Sequence, residues 1–156
     1  MAAGVEHRAA SRAAVIPTSL VAYLATGDMF VAAAAGAGMA FGIVCNPDLD
    51  LSQITIAERT MVQKIGAIGW LWLVIWWPYA KLVPHRHWIS HSVAGTFIRL
   101  SYLAALAWLL GFDVWAVLTP AGISFCCGLL LSDILHLVMD GAAYKAVKRA
   151  TGLKMK

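Results

Sequence analysis

The stretch MFVAAAAGAGMAFGIVC, residues 29–45, decides how the chain folds, because 17 consecutive positions hold no charged side chain. Its alanines, with Gly36, Gly38 and Gly42, offer a small-residue face on which a second apolar helix can approach closely. The triplet TGD, residues 26–28, gives a tight turn just before it. Upstream, Ala13 to Thr26 is also apolar, and a helix begun near His7 is about long enough to cross a bilayer at ~1.5 Å per residue, with Pro17 placed to kink it. The two segments read as a helical hairpin.

Downstream lie NPDLDLSQ (46–53), the polar run ERTMVQK (58–64) and IGAIGWLWLVIWWPYAKLVP (65–84). The last holds four tryptophans and a tyrosine, the residues of a helix that lies at or partly in a membrane interface. From Val93 to Gly111 the chain is apolar except for Arg99. A second tight turn, GFD (111–113), leads into VWAVLTPAGISFCCGLLL (114–131) and SDILHLVMD (132–140), and a basic tail closes the chain.

Composition agrees. Of the 156 residues 61% are hydrophobic and 13% charged, with mean hydropathy +0.75, well above a soluble domain. The net charge of +4 comes from basic flanks such as Lys145, Lys148 and Arg149, and no basic face interleaved with stacking aromatics points to nucleic acid. The basic N-terminus before an apolar run is retained, since no hydrophilic mature domain follows it. Cys45, Cys126 and Cys127 lack CxxC spacing and read as small buried hydrophobes.

Arg8, Arg12, Arg59, Lys64, Lys81, Arg86 and the tail occupy one set of helix ends, whereas the turns at Asp28 and Asp113 hold no Lys or Arg. By the bias of basic residues toward the cytoplasm, both termini are cytoplasmic. The expectation is an all-α membrane protein forming one integral-membrane domain over 1–156, with a cytoplasmic tail at 141–156. About four transmembrane helices stand in two hairpins, and residues 62–80 lie on the cytoplasmic interface. An odd crossing at 62–80 instead separates the NPDLD carboxylates from the histidines of PHRHWISHS (84–92).

With this topology the ionisable residues outside the basic flanks collect at one membrane face. His7 precedes the first helix, Asp48 and Asp50 end the second, His85, His87 and His91 open the third, and Asp133, His136 and Asp140 close the fourth. The i, i+3, i+7 spacing of the last three keeps them within roughly 60° of one helical face. Carboxylates and imidazoles suit zinc, manganese or iron. Each segment alone has a plainer reading: turn chemistry for Asp48 and a cap for Asp50, an interfacial loop for the histidines, an interhelical hydrogen bond for Asp133 and His136. Four segments meeting at one face weaken those readings. Helical spacing by itself pairs His87 with His91.

Through AGVEH (3–7), PDLD (47–50), WPYAKLVPHRHWISHS (77–92) and SDILHLVMD, the chain resembles a family of small prokaryotic membrane proteins described as predicted metal-binding proteins of unknown function. More distantly it is similar to membrane-bound metal-dependent hydrolases of the LexA-regulated type. The resemblance implies a multi-pass inner-membrane protein binding one or two divalent ions through His7, Asp48, Asp50, His85, His91, Asp133 and His136, with Asp140 beside them. It favours His85 over His87, with Ser90 capping the next helix and so freeing His85 from helical spacing.

Such a site suits hydrolysis of a phosphoester from the cytoplasmic leaflet: Asp50 or Asp140 takes the proton, and Arg86 and Arg99 stabilise a phosphoryl oxygen. The competing class is a non-catalytic membrane subunit, in a homo-oligomer or larger complex and in contact with membrane lipid, where any metal staples helix ends. Ion conduction is disfavoured, since Arg99 is the one deep charge.

Overall fold

The computed structural model describes residues 4–51, 54–84, 87 and 89–151. Among them the chain is all helical, with six α-helices, α1 (Gly4–Thr26), α2 (Met29–Phe41), α3 (Ile56–Ile65), α4 (Ala67–Leu82), α5 (Val93–Leu109) and α6 (Pro120–Thr151), and two short 3-10 helices, Pro47–Asp50 and Val114–Leu118.

The first turn forms as its residues dictate. Gly27 takes φ 68°, a left-handed conformation that glycine adopts without penalty, and Asp28 caps α2 by accepting from the Phe30 and Val31 amides at 2.7 and 3.2 Å. α2 then packs between α1 and α6 through the small-residue face. A Cβ on Gly36 would lie 2.1 Å from Ser19 Oγ of α1, and one on Gly38 1.9 Å from the Phe125 carbonyl oxygen of α6. Gly128 of α6 answers from the other side, where a Cβ would meet the Ala35 carbonyl oxygen at 2.0 Å. At Gly38 and Gly128 backbone meets backbone, so these two glycines are steric requirements, while Gly36 faces a side-chain hydroxyl.

Three elements differ from expectation. The segment read as one interfacial helix at 62–80 is two, because Gly66 at φ 52° breaks it and lets α4 fold back on α3. α3 has its own start, a capping box in which Thr55 Oγ1 accepts from the Glu58 amide at 3.2 Å and Glu58 Oε2 accepts from the Thr55 amide at 2.7 Å. After the GFD turn the chain makes a 3-10 helix first, and α6 starts at Pro120, whose missing N–H suits the first helical position. α6 also runs on to Thr151, into the segment read as tail.

One helical stretch among the described residues, Pro120–Gly141, is long and apolar enough to cross a membrane by length and composition, where four were expected. The apolar helices Met29–Phe41 and Val93–Leu109 are shorter, 13 and 17 residues, or about 20 and 26 Å at ~1.5 Å per residue. The core gathers Cys45, Leu49, Trp76, Tyr79 and Leu129, with Trp72, Phe41 and Tyr102 against it. Cys45 is buried as read, whereas Cys127 is exposed. Much of the outside is apolar: Ile16, Leu24, Phe30, Trp108, Leu110, Phe112 and Trp115 are each more than 65% exposed. Inside are His7, Asp50, Arg99, Asp133 and His136.

Candidate metal centre

Four segments bring their polar ends together. The first is α1, which carries His7 in its opening turns. The second is the Pro47–Asp50 turn, set by Asn46, whose side chain accepts from the Asp48 amide at 3.0 Å and donates to the Ile43 carbonyl at 3.0 Å. The third is the turn before α5, where Ser92, and not Ser90, is the cap, accepting from the Gly95 amide at 3.3 Å. The fourth is α6, with His136 and Asp140 one turn apart.

His136 is the hub. Its Nε2 faces Asp48 Oδ2 at 3.6 Å and Asp140 Oδ2 at 3.7 Å. The His7 ring stacks on the His136 ring with centroids 4.0 Å apart, and His7 Nε2 reaches Asp140 Oδ1 at 3.2 Å. Asp48 turns its other oxygen to His91 Nε2 at 3.7 Å. His7, His136 and Asp140 form one potential donor triad and Asp48, His91 and His136 a second, the donor atoms of each within 4.8 Å of one another.

The set fits a divalent ion. Buried His136 Nε2 has no hydrogen-bond partner, and its carboxylate neighbours stand beyond hydrogen-bond reach. Two donors each about 2.0–2.2 Å from a shared tetrahedral ion sit roughly 3.4 Å apart. The edges of this cluster, 3.2 to 3.7 Å, match that separation. Nitrogen and carboxylate donors suit zinc, manganese or iron.

Asp50 serves differently from Asp48. In a 3-10 turn, at three residues per turn, residues two apart point about 120° away from each other, so the two carboxylates of the D-x-D pair face different neighbours. Asp50 is buried, accepts from Ser90 Oγ at 2.5 Å and lies 3.4 Å from His91 Nδ1. Ser90 has one hydroxyl proton, and with that proton given to Asp50 its oxygen, 3.0 Å from His91 Nδ1, accepts the Nδ1 proton. With that orientation, His91 in its neutral form presents Nε2, with its lone pair, to the cluster. This is the carboxylate behind a histidine that commonly supports a metal ligand.

Electrostatics follow from the same contacts. Burial pushes the Asp48 carboxyl up, but the facing imidazoles of His136 and His91 outweigh it and hold the group well below the usual carboxylate range. Burial lowers the His91 imidazole, yet Asp48 and Asp50 together raise it from the ordinary 6.5 to about 9.

Asp133 lies one turn before His136 but meets α5. It accepts from Thr96 Oγ1 at 2.6 Å and forms a buried ion pair with Arg99. Arg99 also donates to the Ser90 carbonyl at 3.1 Å, which locks the turn carrying His91. It is fully buried, which rules it out as a contact for a substrate oxygen. The pairing had a signal in the sequence: a deep arginine needs an anion on a neighbouring helix. His87 stands outside both donor triads, its Nδ1 accepting from the Ile89 amide at 3.3 Å. His85 and Arg86 lie outside the described residues.

A cavity of about 260 Å³ opens on the cluster, lined by His7, Asp48 and His136 together with Arg8, Ile43 and Ile54. Arg8 was not singled out from the sequence as a site residue.

Residues 2–124 match a family described as "Uncharacterized metal-binding protein (DUF2227)", and the chain belongs to that family. The matched stretch carries His7, Asp48 and His91, while His136 and Asp140 lie beyond it and arrive through α6. A search of curated proteins and a search of solved structures each find no match.

Proposed function

We propose that this metal-binding protein is a membrane-embedded hydrolase whose divalent ion is held by His7, Asp48, His91, His136 and Asp140. The observation that carries the reading is the convergence of these five donors from four segments beside an open cavity. When bound there, a divalent ion polarises a scissile group and acidifies water. The chain's residues do the rest. Asp50 and Ser90 fix the His91 ring, and Arg99 fixes the Ser90 turn.

Membrane embedding is supported by the inverted surface, with apolar side chains outside α1, α5 and α6 and ionisable ones within. In this arrangement α6 crosses the bilayer, α1, α2 and α5 pack around it, and the cluster sits at the cytoplasmic face marked by Arg8, Arg12 and Lys64.

The test pairs elemental analysis of detergent-purified protein with hydrolysis of p-nitrophenyl phosphate, in the parent and in Asp48→Asn and His136→Ala. The expected result is stoichiometric metal and activity in the parent, both lost in variants whose helical circular dichroism is unchanged. Metal without activity, and unfolding on chelation, would move the reading to a structural staple in a membrane subunit.

A further inference from the structure

The rings of His7 and His136 stack with centroids 4.0 Å apart and planes inclined by only 18°. An imidazole binds a metal through a nitrogen lone pair that lies in the plane of its ring, at about 2.0–2.1 Å. Planes so nearly parallel do not meet within that reach. An ion placed in the plane of one ring therefore lies well outside the plane of the other, and the two histidines do not share it while they stay stacked. The rings of His91 and His136 are set differently, 70° apart with centroids at 6.4 Å, and planes that cross so steeply can hold one ion between them. These three imidazoles thus divide into a converging pair and a stacked partner.

The carboxylates divide in the same way. Asp48 stands between the converging pair, its Oδ1 at 3.7 Å from His91 Nε2 and its Oδ2 at 3.6 Å from His136 Nε2. Asp140 instead spans the stacked pair, with Oδ1 at 3.2 Å from His7 Nε2 and Oδ2 at 3.7 Å from His136 Nε2. A carboxylate that turns separate oxygens to two imidazoles unable to share an ion is placed to bridge two ions. The 4.0 Å between the rings agrees with the roughly 3.5–4 Å that separates the ions of two-metal sites. Both rings are buried, His7 at 7% and His136 at 5% exposed, so neither is free to swing out into solvent as an ordinary surface histidine is.

We infer that the cluster holds two divalent ions, one on His91, His136 and Asp48 and the other on His7, joined by Asp140 through its two oxygens. This rests on the proposed reading of the five donors as metal ligands and divides them between two ions. The two positions are unequal. With Asp140 Oδ2 the first has four protein donors, the number that closes a tetrahedral site, whereas the second has only His7 Nε2 and Asp140 Oδ1. The second must complete its shell from the cavity that His7 lines, which makes it the weaker and the more exchangeable of the two.

The experiment takes the full chain in detergent, stripped with chelator, and dialyses it to equilibrium against zinc or manganese. Bound ions are counted by elemental analysis, and the manganese form is examined by electron paramagnetic resonance. The expected result is two ions per chain, bound in two steps, with the spectrum of a spin-coupled manganese pair. His7→Ala should lose the weaker ion alone and give the six-line spectrum of isolated manganese, and Asp140→Asn should lose the coupling. A saturating count of one ion in the parent, or a His7→Ala variant that folds and still binds two, overturns the inference and leaves a single shared ion. Two ions without coupling would overturn the Asp140 bridge. The parent's count decides between one ion and two even where a variant does not fold. Two ions in a parent that leaves p-nitrophenyl phosphate intact would instead overturn the hydrolase reading alone, and no bound ion would overturn both.

Discussion

Two clusters of buried ionisable residues lie on either side of the Ser90–His91 turn, and they differ in how their charge is met. In the Arg99 cluster a permanent cation faces a permanent anion, with Thr96 and the Ser90 carbonyl completing the contacts. In the His136 cluster, carboxylates and imidazoles from four segments face one another across gaps of 3.2 to 3.7 Å with no Lys or Arg in either donor triad. The first is complete with the chain's own residues. The second holds a counter-charge only while an imidazole such as His91 is protonated, and on the proposed reading a divalent ion takes that place. A buried charge is thus not by itself a sign of function, and what distinguishes the two is whether the chain supplies the counter-charge.

The largest expected effect tests the closed cluster. Arg99→Ala leaves Asp133 buried without its cation, and loss of one partner of a buried pair typically destabilises by about 3–5 kcal/mol. The variant should unfold far below the parent in a thermal scan. Arg99→Met with Asp133→Leu, which removes both charges, should recover most of that loss. If the double variant is no more stable than Arg99→Ala, the arginine acts chiefly by locking the Ser90 carbonyl, and the contrast between the clusters narrows.

A smaller effect is expected where the clusters meet. Asp50→Asn keeps the shape of the side chain but weakens its hold on Ser90 and His91, and loss of a group behind a ligand histidine typically lowers metal affinity roughly 10–100-fold. Competition against a chromophoric zinc chelator would read this. Affinity lost as completely as in His136→Ala would make Asp50 a ligand, and affinity equal to the parent would remove it from the site.

The divergence of Asp50 from Asp48 also marks the limit of what the sequence discloses. The hairpin turn at Gly27 and Asp28 and the close-packing face of Gly36, Gly38 and Gly42 are legible because local chemistry alone requires them. The meeting of His7, Asp48, His91, His136 and Asp140 at one end is legible as well, since short turns between apolar segments leave their polar ends together. The roles of Asp50 and Asp133 are not, because both depend on which neighbour each side faces: a 3-10 turn sends Asp50 behind His91, and α5 offers Arg99 to Asp133. The break at Gly66 escapes for a related reason, as a glycine inside an apolar run becomes a hinge only when a second helix is there to receive the fold.

The last expected effect concerns pH, and its sign separates the open cluster from the closed one. Without metal, burial disfavours the charged His91 ring, but Asp48 and Asp50 hold its pKa at about 9, above the ordinary 6.5. That pairing stabilises the fold fully below about pH 6.5 and is lost as pH rises through about 9. Asp48, held below the usual carboxylate range, contributes above its ordinary pKa and loses that contribution only as pH falls through its lowered value. Metal binding must expel the His91 proton, so metal affinity should climb about tenfold per pH unit between roughly 6.5 and 9 and level off above. The metal-free protein should lose stability over the same interval. Thermal scans of both forms from pH 6 to 10 should therefore diverge as pH rises. Parallel curves would mean that His91 carries no proton for the metal to displace, and the open cluster would then lack the coupling that sets it apart from Arg99 and Asp133.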